Sequence, residues 1–124
     1  MTIQNDAAQR KPKKNLRDRP GKVTIHKLPT GVRGLDDILG GGIPEFSFNI
    51  IAGPPGSGKT TLAHQIIFAN ATAEKPALYF TVLGEPVLKM LRYQQQYSFF
   101  EHAKVGKAVR FINLSDVVAE QKGD

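Results

Sequence analysis

The sequence contains no cysteine, and its apolar residues never form a long run. Without cysteine the chain has neither a disulfide framework nor a thiolate metal site, which is consistent with a reducing compartment. A membrane-spanning helix needs roughly 20 consecutive apolar residues, and a secretory signal needs an apolar segment behind its basic start. Neither pattern is present in the sequence. We therefore expect a cytoplasmic protein with no membrane partner.

Acidic residues are scarce at the N-terminal end. Residues 1–33 contain nine basic and two acidic side chains, a net charge of +7, and residues 34–124 carry the balance of −1. Residues 1–22 also contain too few large apolar side chains to offset the entropy cost of ordering the chain. We interpret 1–22 as a basic disordered tail and residues 10–33 as a candidate site for nucleic acid or another polyanion. A solvated extension without a partner is the alternative.

Residues 23–124 alternate between short β-rich runs and segments with helical spacing. This order is typical of an α/β fold in which right-handed crossovers connect the strands of a parallel sheet. In chain order the sequence predicts an edge strand at 23–25, a helical turn at 34–39, a buried strand at 47–52, a helix at 59–71, a strand at 77–82, a helix beginning at Pro86, a strand at 109–114 and a last helix capped by Ser115.

The spacing of apolar residues also predicts which helix faces are buried. His64 falls on the outer face of the helix at 59–71. None of the three histidines, His26, His64 and His102, has a second ligand at metal-binding spacing. We therefore interpret all three as structural or solvated. The predicted inner faces are Leu62, Ala63, Ile66 and Ile67 in the helix at 59–71, and Leu88, Leu91 and Tyr97 in the helix after Pro86.

The stretch "GPPGSGKTT", residues 53–61, follows the predicted strand at 47–52 and opens the helix at 59–71. A GxxxxGK[ST] spacing in that context is typical of a loop that holds nucleotide phosphates, because glycines leave the backbone N–H groups open to the anion. Lys59 would place an ammonium between the β- and γ-phosphates, and Thr60 would offer a hydroxyl oxygen to Mg²⁺. The candidate ATP-binding residues are Gly53, Pro54, Pro55, Gly56, Ser57, Gly58, Lys59, Thr60 and Thr61.

The residues before this loop add a second motif. Thr30-Gly31 is followed by Gly34-Leu35-Asp36, and then by Leu39 with Gly40–Gly42. Together with Gly53–Thr60, this two-part signature resembles the start of a KaiC-like domain of the RecA superfamily, over residues 26–116. The resemblance implies a RecA-like P-loop three-layer fold with a parallel sheet. It also implies ATP and Mg²⁺ as ligands, a homo-oligomeric ring, and ATP hydrolysis or autophosphorylation.

The chain departs from the family pattern at three places. Phe46 stands where the family has a glycine, in the turn before the strand. Leu83 and Gly84 stand where the family has the acids that activate water, and Glu85 lies one place later. The strand with the Walker B aspartate comes later in the family than the last residue here. We therefore interpret 23–124 as the N-terminal portion of such a domain, truncated before the Walker B strand.

Three functions remain open at this point. The first is Mg²⁺-dependent ATP hydrolysis or autophosphorylation, with Lys59 and Glu85 as catalytic candidates and Glu85 as the general base. The alternative role of Glu85 is to place a favourable charge at a helix start. The second is nucleotide binding without turnover, and the third is polyanion or DNA binding through the tail. The stretch "YQQQYSFF", residues 93–100, could stack on bases, but a helix with one buried face also accounts for it.

Overall fold

A computed structural model describes residue 21, residues 23–82 and residues 86–123. The predicted tail, apart from Gly21, and the predicted base Glu85 therefore lie outside the described residues. No helix in the described part of the chain is long and apolar enough to cross a membrane. The elements are β1 (Lys27–Leu28), α1 (Leu35–Ile38), β2 (Ile43–Pro44), α2 (Lys59–Asn70), β3 (Ala77–Thr81), α3 (Val87–Gln94), a 3-10 turn (His102–Lys104), β4 (Val109–Asn113) and α4 (Leu114–Lys122).

The predicted parallel sheet is confirmed by β3 and β4. These strands pair in parallel, with Ala77 opposite Val109 at one end and Thr81 opposite Asn113 at the other. Both strands were predicted from short runs rich in β-branched and aromatic residues, and α3 lies between them in the sequence, as a crossover requires. The fold class is therefore mixed α/β, as the order of the segments indicated.

The hydrophobic core lies between the C-terminal half of α2 and the start of β4. Phe68 and Val109 are almost fully buried, together with Ala71 and Ala108. The rings of Phe99 and Phe100 pack against Phe68, at centroid distances of 6.1 and 4.9 Å. Burial of these aromatic and aliphatic groups is the main favourable term in fixing α2 on the sheet.

The edge strand is not where the sequence predicted it. Val23 and Ile25 are exposed and unpaired, whereas Lys27–Leu28 pairs antiparallel with Ile43–Pro44. The reason is a tertiary contact: the Lys27 ammonium donates to the carbonyl oxygens of Leu39, at 2.7 Å, and Gly40, at 2.9 Å. These bonds hold β1 next to the end of α1. The segment that follows Gly40–Gly42 therefore pairs with residues 27–28.

The prediction of a buried strand at 47–52 is wrong. These residues form no strand, and Phe48 and Ile50 are 90% and 79% exposed. A parallel strand is stabilised by hydrogen bonds to its neighbours. In the described part of the chain β3 and β4 pair with each other, and no strand pairs with 47–52. The β-rich composition of this segment therefore does not suffice to make it a strand.

The predicted faces of α2 are wrong for His64, which was placed on the outer face, whereas Ile67 of the predicted inner face does pack against the core. The side chains that are fully buried are His64 and Phe68, one turn apart, while Leu62, Ala63, Ile66 and Ile67 are half-buried. Apolar residues surround α2 on most sides, so their spacing does not single out one face. The aromatic residues of β3 and β4 decide it, because they contact His64 directly.

Similar corrections apply to α3 and α4. In α3 the buried residues are Met90 and Gln94, whereas Leu88, predicted inside, is 80% exposed and Tyr97 is also exposed. In α4 the cap is Asn113, whose side-chain oxygen accepts a hydrogen bond from the Ser115 N–H at 3.0 Å. Asparagine is as good an N-cap as serine, and the helix begins two residues earlier than predicted.

Candidate nucleotide site

A hydrogen-bond cluster around Asp36 fixes the segment that precedes the glycine loop. The Thr30 backbone N–H and hydroxyl both donate to Asp36 Oδ1, at 2.8 and 2.7 Å, and the Val32 N–H donates to the Thr30 hydroxyl at 3.1 Å. The hydrogen bonds from Thr30 hold the pKa of Asp36 below its usual range, because they favour the charged carboxylate. The Thr-Gly and Gly-Leu-Asp motifs are therefore parts of one structural unit.

This unit is bound to α2, the helix that leaves the glycine loop. The Gln65 amide donates to the Gly31 carbonyl at 2.8 Å, and the Asn70 amide donates to the Pro29 carbonyl at 2.7 Å. Gly31 lies so close to the helix that a Cβ there would be 3.0 Å from the Cβ of Ala69. The second motif of the signature thus positions α2 and, through it, the loop.

The glycine loop, residues 53–61, leads into α2 and includes its first three residues. Gly56 and Gly58 have φ values of 78° and 90°, a left-handed conformation that side chains disfavour. The Gly58 carbonyl accepts the first helical hydrogen bond, from the Leu62 N–H at 2.9 Å. No side chain in the described chain caps the N-terminus of α2, so its first N–H groups are open to an anion.

Lys59 folds back over the loop. Its ammonium donates to the carbonyl oxygens of Gly53 and Pro54, both at 2.8 Å. An ammonium has three N–H donors, so two hold the loop closed and one remains for a further acceptor. Thr60 is exposed in the first turn of α2, and Thr61 is half-buried. The predicted loop residues therefore lie at the start of α2, and most of them are exposed to solvent.

Two other predicted features are not part of this geometry. Glu85, with its neighbours Leu83 and Gly84, lies outside the described residues. Phe46, which replaces the family's glycine, has a φ of 57° and is fully exposed. A left-handed conformation costs a residue other than glycine roughly 1–2 kcal/mol, so this turn keeps the glycine-type geometry at a cost in stability.

Sequence reasoning missed a buried polar cluster one turn beyond Thr60. His64 is fully buried, with its ring edge-on to Tyr79 at 4.7 Å and to Phe111 at 5.6 Å. Nearby Gln94, on α3, is also buried. Burial lowers the pKa of His64, and Gln94 opposes that shift. The sequence signal was the spacing of His64 and Phe68 at i and i+4, which places both on one helix face.

His64 makes stability depend on pH. The fold disfavours the imidazolium, whereas an unfolded chain binds the proton near the ordinary histidine pKa of about 6.5. Stability is therefore fully present above that pH and falls as the pH is lowered, by at most about 1.4 kcal/mol per pH unit for one proton. Urea unfolding at pH 7.5 and 5.5 should show this loss in the wild type and not in His64→Phe.

The matched control for that measurement is His26→Gln, since His26 is exposed. It should keep the wild-type dependence on pH. If His64→Phe lost as much stability between the two pH values as the wild type does, a different group would be responsible.

Several known proteins are similar to this chain in sequence. The chain is 35% identical to a UPF0273 protein of Methanopyrus kandleri over 65 residues, which are 52% of this chain and 26% of that protein. It is 40% identical to the DNA repair protein RadA of Mycolicibacterium smegmatis over 86 residues, 69% of this chain and 18% of RadA. It is 30% identical to the circadian clock oscillator protein KaiC of Prochlorococcus marinus subsp. pastoris over 67 residues, 53% of this chain and 13% of KaiC.

The matched part of the chain thus spans about a quarter of the length of the UPF0273 relatives. No solved structure matches it significantly. The model of the family described as "ATPase: KaiC" matches residues 28–122, which include the Asp36 cluster, the glycine loop and the β3–β4 pair. Because that match covers most of the sequence, the chain belongs to the KaiC family of ATPases.

Proposed function

We propose that this chain binds ATP together with Mg²⁺ through residues 53–61. The observation that carries the proposal is the position of Lys59, whose ammonium closes the loop and keeps one donor for a phosphate oxygen. The uncapped N-terminus of α2 supports it, because the helix dipole and the first N–H groups favour an anion there.

The backbone N–H groups of the loop, Lys59 and Thr60 each have a role in this proposal. The backbone N–H groups between Gly56 and Thr60 hold the β-phosphate, and Lys59 neutralises the charge shared by the β- and γ-phosphates. The Thr60 hydroxyl is a hard oxygen ligand on the exposed first turn of α2, which suits Mg²⁺. Mg²⁺ held by Thr60 would supply positive charge to neutralise the phosphates.

ATP hydrolysis or autophosphorylation is the proposed activity of the family domain. Lys59 would stabilise the charge that develops on the γ-phosphate, and Glu85 is the proposed general base. Leu83 and Gly84 occupy the places of the family's water-activating acids, so we propose slow turnover for this chain. Nucleotide binding without turnover is the second candidate function, and it rests on Leu83 and Gly84 standing in place of those acids.

We extend the proposal to the architecture and the partners of this chain. One face of β3 contacts α2, while Leu78 and Phe80 on the other face are exposed, which supports a RecA-like three-layer fold with a further layer on that side. We further propose a homo-oligomeric ring, a cytoplasmic location, and nucleic-acid or other polyanion binding through residues 10–33, which carry most of the basic charge.

The test compares MgATP with MgAMP. AMP lacks the two phosphates that the loop would hold, so it should bind far more weakly. MgATP at a hundredfold excess over its dissociation constant should raise the free energy of unfolding by about 2.7 kcal/mol, seen as a higher melting temperature. Phosphate release in the same samples should stay far below about 1 per second, the lower end of common turnover numbers.

Equal stabilisation by MgATP and MgAMP, or none by either, would contradict phosphate binding by the loop. Rapid phosphate release that Lys59→Ala abolishes would contradict slow turnover and leave the binding proposal intact.

A further inference from the structure

The outward side of α3 presents cationic, aromatic and amide groups together. Met90 and Gln94 fasten the helix to the rest of the protein. On another side, Lys89, Arg92, Tyr93 and Gln96 line a groove of about 420 Å³. Their spacing of i, i+3, i+4 and i+7 places them on one stripe of the helix and the turn that follows it. We call these four residues the α3 stripe.

A second groove adjoins the α3 stripe. Its volume is about 640 Å³, and Lys89 and Arg92 belong to its lining as well as to that of the first groove. The two cations therefore form a ridge between two depressions. Both depressions are open to solvent, since Leu88 and Tyr93 beside them are 80% and 61% exposed.

No acidic side chain neutralises this ridge within the described residues. The sequence from 86 to 100 contains neither aspartate nor glutamate. In the described part of the chain the one salt bridge joins Lys104 to Glu101, at 3.0 Å. Lys89 and Arg92 are thus two cations one turn apart on α3. No carboxylate of the described residues lies at ion-pair distance from either. Such an arrangement attracts a partner that carries repeated negative charge.

We propose that the α3 stripe binds single-stranded nucleic acid. Lys89 and Arg92 neutralise two phosphates, and the exposed ring of Tyr93 next to them offers a stacking surface to an unpaired base. Gln96 adds an amide that can donate to and accept from a base edge. A duplex would leave the tyrosine unused because its bases are already stacked, and an acidic polypeptide would use the cations and not the ring.

This site differs from the basic segment at 10–33 and from the glycine loop. Every variant below keeps both of those unchanged, so differences between variants report on the α3 stripe alone. Failure of the proposal for the α3 stripe would leave the ATP proposal unaffected. The ATP test relies on Lys59 and on the two phosphates that ATP has and AMP lacks.

The experiment is anisotropy of a fluorescent oligothymidylate of about 20 nucleotides, titrated with the full chain at several salt concentrations. Tyr93→Ala should weaken binding by about 5- to 150-fold, the range measured for loss of one base stack. Tyr93→Phe keeps the ring and should bind within about twofold of the wild type.

The charge contribution has its own pair of variants. Lys89→Ala/Arg92→Ala should weaken binding and reduce the log–log salt slope by about 1.4, since each phosphate on a single strand contributes about 0.7. Lys107→Ala/Lys122→Ala removes the same charge from two exposed lysines outside the stripe and should keep the wild-type slope.

Three results would overturn the proposal. The first is wild-type affinity in the Lys89/Arg92 and Tyr93→Ala variants. The second is loss of affinity in the charge variant without any effect of Tyr93→Ala, which would indicate unselective polyanion binding. The third is equally strong competition by polyglutamate, which would assign the stripe to acidic polypeptides.

Discussion

Replacing Lys59 by alanine is expected to weaken MgATP binding by about 10- to 100-fold. The substitution removes a charge-assisted hydrogen bond to phosphate, which is worth roughly 1.5–3 kcal/mol, and that energy corresponds to this loss of affinity. It also removes the two bonds from the ammonium to the carbonyl oxygens of Gly53 and Pro54, so the loop loses its closure. Calorimetric titration of both proteins with MgATP measures the difference.

Lys75→Ala is the control for this measurement, because Lys75 is exposed and lies outside the loop. It removes the same charge and should bind MgATP as the wild type does. The free Lys59→Ala protein should unfold near the wild-type temperature, since the bonds it loses are exposed. Equal affinity of wild type and Lys59→Ala would contradict phosphate binding by this lysine.

Replacing Phe68 by alanine should lower the free energy of unfolding by about 3–5 kcal/mol, the usual cost of removing a buried aromatic ring. Phe68 is 1% exposed and packs against Phe99, Phe100 and Val109. The loss combines the transfer of the ring to water with the cavity left between α2 and β4. Because small domains have a net stability of about 5–15 kcal/mol, this one change removes much of the total. Urea unfolding monitored by circular dichroism measures it.

Phe48→Ala is the matched control, with the same chemistry at a residue that is 90% exposed. Its effect should stay within about 0.5 kcal/mol, as for other surface substitutions. A loss below about 1 kcal/mol for Phe68→Ala, or an equally large loss for Phe48→Ala, would show that the core is not centred on Phe68.

The glycine loop was predictable from sequence because its chemistry is local. Gly56 and Gly58 permit the left-handed backbone. Lys59 and Thr60 follow them directly in the sequence, so their distance along the chain from these glycines does not depend on packing. The α/β order was predictable for a similar reason, since the β-rich runs at β3 and β4 and the helical spacing of α2 are properties of short segments.

Pairing and burial could not be predicted in the same way, because they depend on residues far apart in the chain. Residues 47–52 have the composition of a strand, yet no described strand pairs with them. The buried face of α2 was decided by Tyr79 and Phe111, which contact His64 from β3 and β4. The spacing within α2 allows several faces to be buried, and contact with the sheet selects the one that carries His64 and Phe68.

The role of the Thr-Gly and Gly-Leu-Asp motifs was likewise decided by tertiary contacts. Their residues could be recognised in the sequence as part of a family signature. The sequence did not show that Thr30 donates to Asp36, or that Gln65 and Asn70 bind this unit to α2. Local residue chemistry thus specified the loop, the helix α2 and the strands β3 and β4. Long-range hydrogen bonds and packing specified how the loop is held, because both partners of each contact must be in place before either is constrained.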